Sequence, residues 1–266
     1  MKRGESSLKE HYWIESRGKR LSAMLHTPAG IENPPVIILC HGFTGEKVGG
    51  NQLLLHIANA LETGGYAVVR FDFTGSGESE GSFEIDTTIT SWQSDLCQVI
   101  RWTKEQPAFR NSPLFLLGHS LGGCIVLLHD DGHLPIAGRI ALAPVIFPES
   151  NFREIILGPE LCAAAGSGQT ISHFYGKGFA LQPDFVRDIQ ARQHAPLLAS
   201  ENYRDAVLLV HGSADTAVPA KDSQAYFEAY QGPKELHILD GADHSFSRHM
   251  PQLQEKLVTW ISARLG

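Results

Sequence analysis

A serine, an aspartate and a histidine stand in this chain where loops follow apolar runs. Gly118-His119-Ser120-Leu121-Gly122 has the form Gly-x-Ser-x-Gly, between the run Leu114-Phe115-Leu116-Leu117 and an apolar stretch that begins at Leu121. A serine hydroxyl is a poor nucleophile until a base takes its proton, and the base needs a carboxylate to hold its tautomer. In a strand–motif–helix setting the serine sits on a sharp turn, with its oxygen pointing out above the strand ends. Gly118 and Gly122 remove side chains that would clash in that turn. The next amide, at Leu121, lies at a helix N-terminus, where an unpaired N–H and the helix dipole favour an anion.

Two later loops supply partners. Leu208-Leu209-Val210-His211-Gly212-Ser213-Ala214-Asp215 is an apolar run, a glycine turn and then an acid. Leu236-His237-Ile238-Leu239-Asp240-Gly241-Ala242-Asp243-His244 ends another run with a histidine. Catalytic groups of open α/β sheets gather at the carboxyl edge of the strands. Ser120, Asp215 and His244 are therefore expected on one side, with Asp215 orienting His244 and His244 taking the serine proton. Among the thirteen histidines, His119 is expected to point away from the serine and His211 to pack at a strand end. Asp240 and Asp243 are rival acids, but they are too close to His244 along the chain to reach its far ring nitrogen easily. An oxyanion needs a second donor. Cys40-His41-Gly42-Phe43 follows another apolar run, which makes the Phe43 amide the partner of the Leu121 amide.

The elements that must position these groups alternate in period. Val36-Ile37-Ile38-Leu39-Cys40 is a continuous run, as expected of a strand buried on both faces. Strands are also expected at 66–71, 114–117, 139–142, 206–210 and 235–239. Helices are expected at 53–61, 89–102, 121–128, 222–230 and 251–265. Two runs around Arg17-Gly18 read as a hairpin. Strands alternating with helices give an α/β fold with a mostly parallel sheet. Residues 144–204 break the rhythm, because a strand connection is usually about 2–6 residues. That stretch is rich in Gly, Pro and aromatics. It is read as a lid inserted within a single domain spanning 1–266.

Composition bounds the rest. The chain has 266 residues, 42% hydrophobic and 19% charged, with a net charge of -7. Disorder would need fewer apolar residues and more charge. The mild acidity offers nothing to nucleic acid or an anionic membrane. No run approaches the roughly 18 apolar residues of a membrane span. Cys40, Cys97, Cys124 and Cys162 lack the short spacing of a zinc or redox site and read as small hydrophobes. The first residues lack the apolar stretch of a signal peptide, so a cytoplasmic location is expected. Asp72-Phe73-Thr74-Gly75-Ser76-Gly77-Glu78-Ser79-Glu80-Gly81 is Gly-rich but lacks the third Gly of a dinucleotide loop; it reads as a structural turn. No metal is expected, since His129-Asp130-Asp131 has no companion ligands.

These landmarks, His41-Gly42-Phe43-Thr44-Gly45, the 72–79 turn, Gly118-His119-Ser120-Leu121-Gly122-Gly123, His211-Gly212-Ser213-Ala214-Asp215 and Gly241-Ala242-Asp243-His244, resemble the α/β-hydrolase superfamily. Within it the set looks like the compact bacterial cinnamoyl (feruloyl) esterases. Serine-aminopeptidase-like and monoacylglycerol-lipase-like hydrolases are its neighbours. The resemblance implies a lid at 144–204 that holds an aromatic acyl group. Two positions depart from it: Leu121 stands where those esterases often carry a polar residue, and Phe185 aligns where they place a lid tyrosine. A phenylalanine cannot hydrogen-bond a phenolic hydroxyl, which leaves Tyr175 or Asp184 for that contact.

The expected protein is a serine carboxylic ester hydrolase that needs no cofactor. It acts on hydroxycinnamate-type or other small esters. The partner is then a small-molecule ester, with neither nucleic acid nor membrane; a homodimer is left open as its assembly. A binding protein on the same fold is the alternative from another class.

Overall fold

The computed structural model describes residues 7–130, 134–176, 178–191 and 195–265. Asp131, of the weighed His129-Asp130-Asp131 string, lies outside the described residues. Among the described residues ten strands form: β1 (Leu8–Ser16), β2 (Lys19–Thr27), β3 (Val36–Cys40), β4 (Ala67–Phe71), β5 (Leu114–His119), β6 (Gly138–Leu142), β7 (Ile171–Ser172), β8 (Ala180–Leu181), β9 (Val207–Gly212) and β10 (Lys234–Leu239). The helices are α1 (Leu53–Thr63), α2 (Phe83–Asp86), α3 (Ile89–Glu105), α4 (Leu121–Leu128), α5 (Pro148–Asn151), α6 (Pro159–Gly166), α7 (Pro183–Ala191), α8 (Ala195–Ala199), α9 (Ala220–Ala229) and α10 (Met250–Ser262).

Eight strands make one sheet in the order β1-β2-β4-β3-β5-β6-β9-β10. β1 pairs antiparallel with β2, and β2 antiparallel with β4; the other neighbours are parallel. Alternation along each central strand splits the core in two. Val36, Ile38 and Cys40 of β3 face the cluster that holds Trp92 and Leu96 of α3. Ile37 and Leu39 face the cluster of Leu53, Ile57 and Leu61 from α1 and Leu253, Leu257 and Trp260 from α10. The sheet is thus covered on both faces, which is why its inner strands read as unbroken apolar runs. Each such buried side chain stabilises the fold by about 1.5–3 kcal/mol over its exposed form.

α3 begins at Thr88, whose hydroxyl accepts from the Ser91 amide at 3.0 Å while the Ser91 hydroxyl accepts from the Thr88 amide at 3.0 Å. That reciprocal cap fixes where the helix starts. It sets Trp92 flat on Phe73, ring centres 4.1 Å apart.

Between β6 and β9 the chain leaves the sheet and builds α5, one π-type turn (Phe152–Ile156), α6, the hairpin β7–β8, α7 and α8. Hydrogen bonds tie the insert to α2 and α3, among other points. Thr90 of α3 donates its amide to Asp188 of α7 at 3.1 Å, and Gln182 donates its amide to the Glu84 carbonyl of α2 at 2.9 Å. Phe43 meets Phe152, Phe174 and Phe185 of the insert at ring-centre distances of 4.9, 5.8 and 5.3 Å. Phe152, Phe174 and Phe185 are buried in this cluster. These three phenylalanines therefore pack with Phe43 instead of standing open to a ligand. No helix among the described residues is long and apolar enough to cross a membrane.

Candidate active site

Ser120 sits between β5 and α4 with φ 57° and ψ −119°, a strained backbone for a residue with a side chain. Two glycines permit it. A Cβ on Gly118 would come 2.1 Å from the Gly122 carbonyl oxygen, and one on Gly122 would come 2.4 Å from the Cys40 carbonyl oxygen. The turn is held by the Ser120 amide donating to the Leu142 carbonyl at 2.9 Å, and by the Ser120 carbonyl accepting from Val145 at 3.2 Å.

His244 donates from Nδ1 to Asp215 Oδ2 at 2.7 Å. The other carboxylate oxygen of Asp215 accepts from the Ala217 and Val218 amides at 2.8 and 2.9 Å. His211 Nε2 lies 3.2 Å from the same Oδ2. Burial by itself would raise the Asp215 carboxyl. The hydrogen bonds from His211 and His244, the charge His244 can carry and the Val218 amide outweigh it, so the group is held well below the usual carboxylate range. The rival acids are engaged elsewhere. Asp243 accepts from the Ser245 and Ser247 amides at 3.1 and 2.9 Å, and Asp240 accepts from the Ser213 hydroxyl at 3.1 Å.

The loop after β3 lies directly on the serine: a Cβ on Gly42 would come 3.0 Å from Ser120 Cβ. His41 pins that loop. Its Nε2 accepts from the Phe73 amide at 3.1 Å, so its Nδ1 carries the hydrogen and donates to the Gly42 carbonyl at 2.9 Å. Burial lowers its pKa, in keeping with the neutral ring those bonds require. Further along, buried Lys47 donates from Nζ to Asp72 Oδ2 at 2.7 Å, its amide bonds Asp72 Oδ1 at 2.5 Å, and its carbonyl accepts from Arg70 at 2.8 Å. The Gly-rich 72–81 turn is thus the anchor of this loop. The amides of Phe43 and Leu121 donate to no partner among the described residues, which leaves both N–H groups free for an anion.

Ser120, His244 and Phe43 line one cavity of about 360 Å³. Its lining includes the polar Ser245, Ser247 and Asn51 along with His244. Asn51 donates from Nδ2 to the Ser247 hydroxyl at 3.2 Å. Asn51 and Gln52 both adopt positive φ, 53° and 59°; strained backbone of this kind concentrates at functional sites. From the insert, Ile156 lines the cavity.

Several expected positions come out differently. His119 does not point away. It lines the cavity and donates from Nε2 to the His244 carbonyl at 2.8 Å, because the residue before the turn faces the loop that follows β10. Burial and the charge of His244 push it down to about 3, so it acts as a neutral donor. His211 does more than pack, since it contacts Asp215. Phe185 is buried in the ring cluster and Asp184 is 74% exposed, paired with Arg187 at 3.1 Å. Neither lines the cavity. Pro183 starts α7 there, and one helical turn carries Phe185 inward and Asp184 outward. Tyr175 falls in a 3-10 turn (Phe174–Gly176), and its side chain lies outside the described residues. Lys47 and Asn51 were missed. A lysine in a Gly-rich loop, and an asparagine beside Gly49-Gly50, were the available signals.

The arrangement can move a proton from a hydroxyl to His244, hold the resulting imidazolium against Asp215, and present two amides to an oxyanion. No group of described residues could hold a metal ion.

Comparison with known proteins agrees with this fold. The family described as serine aminopeptidase, S33, matches residues 32–167, just over half of the chain. Human monoglyceride lipase is 25% identical, with 94% of this chain and 89% of that protein covered. The solved structure of Est1E from Butyrivibrio proteoclasticus with ferulic acid bound superposes with a TM-score of 0.83 at 26% identity, covering 96% of this chain and 99% of that one. The esterase domain of a Rhodothermus marinus protein has a TM-score of 0.72 at 26% identity, covering 97% and 98%.

Proposed function

We infer the reaction from a premise that the family match supplies: the chain belongs to the serine aminopeptidase, S33 family and is an α/β hydrolase of the esterase and lipase type. The reaction is hydrolysis of a small carboxylic ester through an acyl-enzyme. Ser120 Oγ attacks the ester carbonyl while His244 takes its proton. The amides of Phe43 and Leu121 hold the oxyanion. Collapse breaks the bond to the leaving oxygen, which takes the proton from His244, and Ser120 keeps the acyl group. Water, deprotonated by His244, then attacks the acyl-enzyme and releases the acid. The observation that carries this reading is the 2.7 Å bond from His244 to Asp215 beside a strained Ser120 in one cavity.

The general acid must lie next to the leaving oxygen, so the alcohol departs along the His244 side. Asn51, Ser245 and Ser247 make that side polar, which favours an alcohol with further hydroxyl groups. On the acyl side, the ferulic acid bound to Est1E supports a hydroxycinnamate-type group. In this chain its ring would rest on Phe43 and Ile156, because Phe185 is occupied within the insert. A monoacylglycerol is the second reading, favoured by the likeness to human monoglyceride lipase and by the polar alcohol side.

Ser120→Ala is expected to abolish hydrolysis of p-nitrophenyl acetate; a variant with the parent rate would overturn the mechanism. A panel of methyl ferulate, glyceryl butyrate and a long-chain monoacylglycerol, compared by kcat/KM, tests the substrate. A marked preference for the long-chain ester would replace the first reading with the second.

A further inference from the structure

The second imidazole on Asp215 has no place in the reaction as drawn above. His211 is the fifth residue of β9, fully buried. Its Nε2 lies 3.0 Å from the Val218 carbonyl and 3.2 Å from Asp215 Oδ2; its Nδ1 lies 2.7 Å from the Ser223 hydroxyl. A carbonyl and a carboxylate only accept, so the hydrogen sits on Nε2, and the Ser223 hydroxyl donates to Nδ1. That one hydrogen bonds the Val218 carbonyl and stands beside Asp215 Oδ2, 3.2 Å from Nε2. Asp215 thus receives two backbone amides on Oδ1 and His244 on Oδ2, with the His211 N–H as the next donor against Oδ2.

We propose that His211 is a positioning residue for the hydrolytic reaction, its Nε2–H, bonded to the Val218 carbonyl and set against Asp215 Oδ2, keeping that carboxylate in the orientation that aims His244. The proposal rests on the reading of Ser120, His244 and Asp215 as one catalytic unit. Asp215 is fully enclosed, and an ionised carboxylate survives there only with its oxygens hydrogen-bonded. The Ala217 and Val218 amides stop one oxygen from swinging; without His211 the other would answer to His244 alone. A small rotation of the carboxylate tilts the imidazole away from the serine, and misplacement by about 1 Å can cost about 100-fold in rate.

A space-filling role would be met by any side chain of similar size, so the test compares two. Glutamine carries an N–H where Nε2 stands, and leucine carries none. His211→Gln is expected within about threefold of the parent kcat on p-nitrophenyl acetate, and His211→Leu about 10- to 100-fold down with KM unchanged. The low-field proton resonance of the His244–Asp215 hydrogen bond should move in His211→Leu and stay near its parent position in His211→Gln. That spectrum needs no substrate, so it separates failure here from failure of the ester reading, which Ser120→Ala tests by itself. Should His211→Leu not fold, Ser223→Ala keeps the ring and removes its anchor; a several-fold loss of kcat at constant KM is expected. Equal kcat for the leucine and glutamine variants, an unmoved resonance in His211→Leu, or a parent-like Ser223→Ala would each overturn the proposal.

Discussion

Asn151 of the insert donates from Nδ2 to the carbonyl of Ala217 at 3.0 Å, and the N–H of that same peptide unit, on Val218, donates to Asp215 Oδ1 at 2.9 Å. One peptide group thus links the insert to the acid that orients His244. Hydrogen bonds in series polarise one another, so the insert contributes to the site as well as covering it. Asn151→Leu should leave the part-buried Ala217 carbonyl without its partner. The expected result is about 1–3 kcal/mol less stability in denaturant unfolding, with a several-fold lower kcat. Unchanged kinetics would mean that the loop holds Asp215 unaided.

Lys47 closes the loop that carries the Phe43 amide. Its bonds to Asp72 and Glu78 raise its pKa even though burial opposes them. Lys47→Met would leave Asp72 buried without a counter-charge, which costs about 3–5 kcal/mol. Glu78 is 72% exposed, so Glu78→Gln should cost at most about 1 kcal/mol. Thermal or urea unfolding of the two variants checks the order. A Lys47→Met protein as stable as Glu78→Gln would show that the buried pair does not hold the loop.

The polar wall at Asn51 predicts a change of specificity, with the chemistry untouched. Asn51→Ala should reduce kcat/KM for a glyceryl ester about fivefold, the worth of roughly 1 kcal/mol from one hydrogen bond. The ethyl ester of the same acid should be nearly unaffected. Equal losses on both esters would remove Asn51 from the alcohol side.

Asp222, buried at the start of α9, has its carboxyl raised from 3.8 to about 6 by burial, against the nearby charge of Lys221 and with that of Asp215. Below pH 4 the group is protonated whether the chain is folded or unfolded, and it costs nothing. As pH rises from 4 to 6 the unfolded chain releases the proton and the folded one keeps it, so stability falls; above 6 the penalty stays constant. Asp222→Asn should therefore raise stability at pH 7.5 by no more than about 3 kcal/mol and change little at pH 4. Unfolding curves at the two values decide it, and a gain of equal size at both would refute the account.

Much of the fold was legible because local signals agreed. Val36-Ile37-Ile38-Leu39-Cys40 reads as a strand covered on both faces, and β3 is one. The helix expected at 89–102 runs on to Glu105 and stops short of Pro107, the residue expected to end it. The start of that helix was readable from Ile89, but its partner was not: nothing in the sequence says that Trp92 lies on Phe73 and beside His41.

The sequence by itself determined the turn at Ser120 and the chain order of the groups around it. Glycines at 118 and 122 act through backbone space, which is a local property, and βα alternation sends each loop to the same edge of a parallel sheet. Only the tertiary structure decided which of the side chains arriving at that edge meet. Asp215, Asp240 and Asp243 are alike in sequence, yet Asp215 takes His244 while Asp240 bonds Ser213 of the neighbouring loop and Asp243 bonds its own. His119 and His211 were read as bystanders, and each touches the His244–Asp215 pair. The aromatic insert, which by composition suggested a ring-binding lid, fills itself with Phe152, Phe174 and Phe185. The reason is geometric. Where a side chain points depends on backbone angles and neighbours far away in sequence, and an apolar ring satisfies itself as well against another ring as against a ligand.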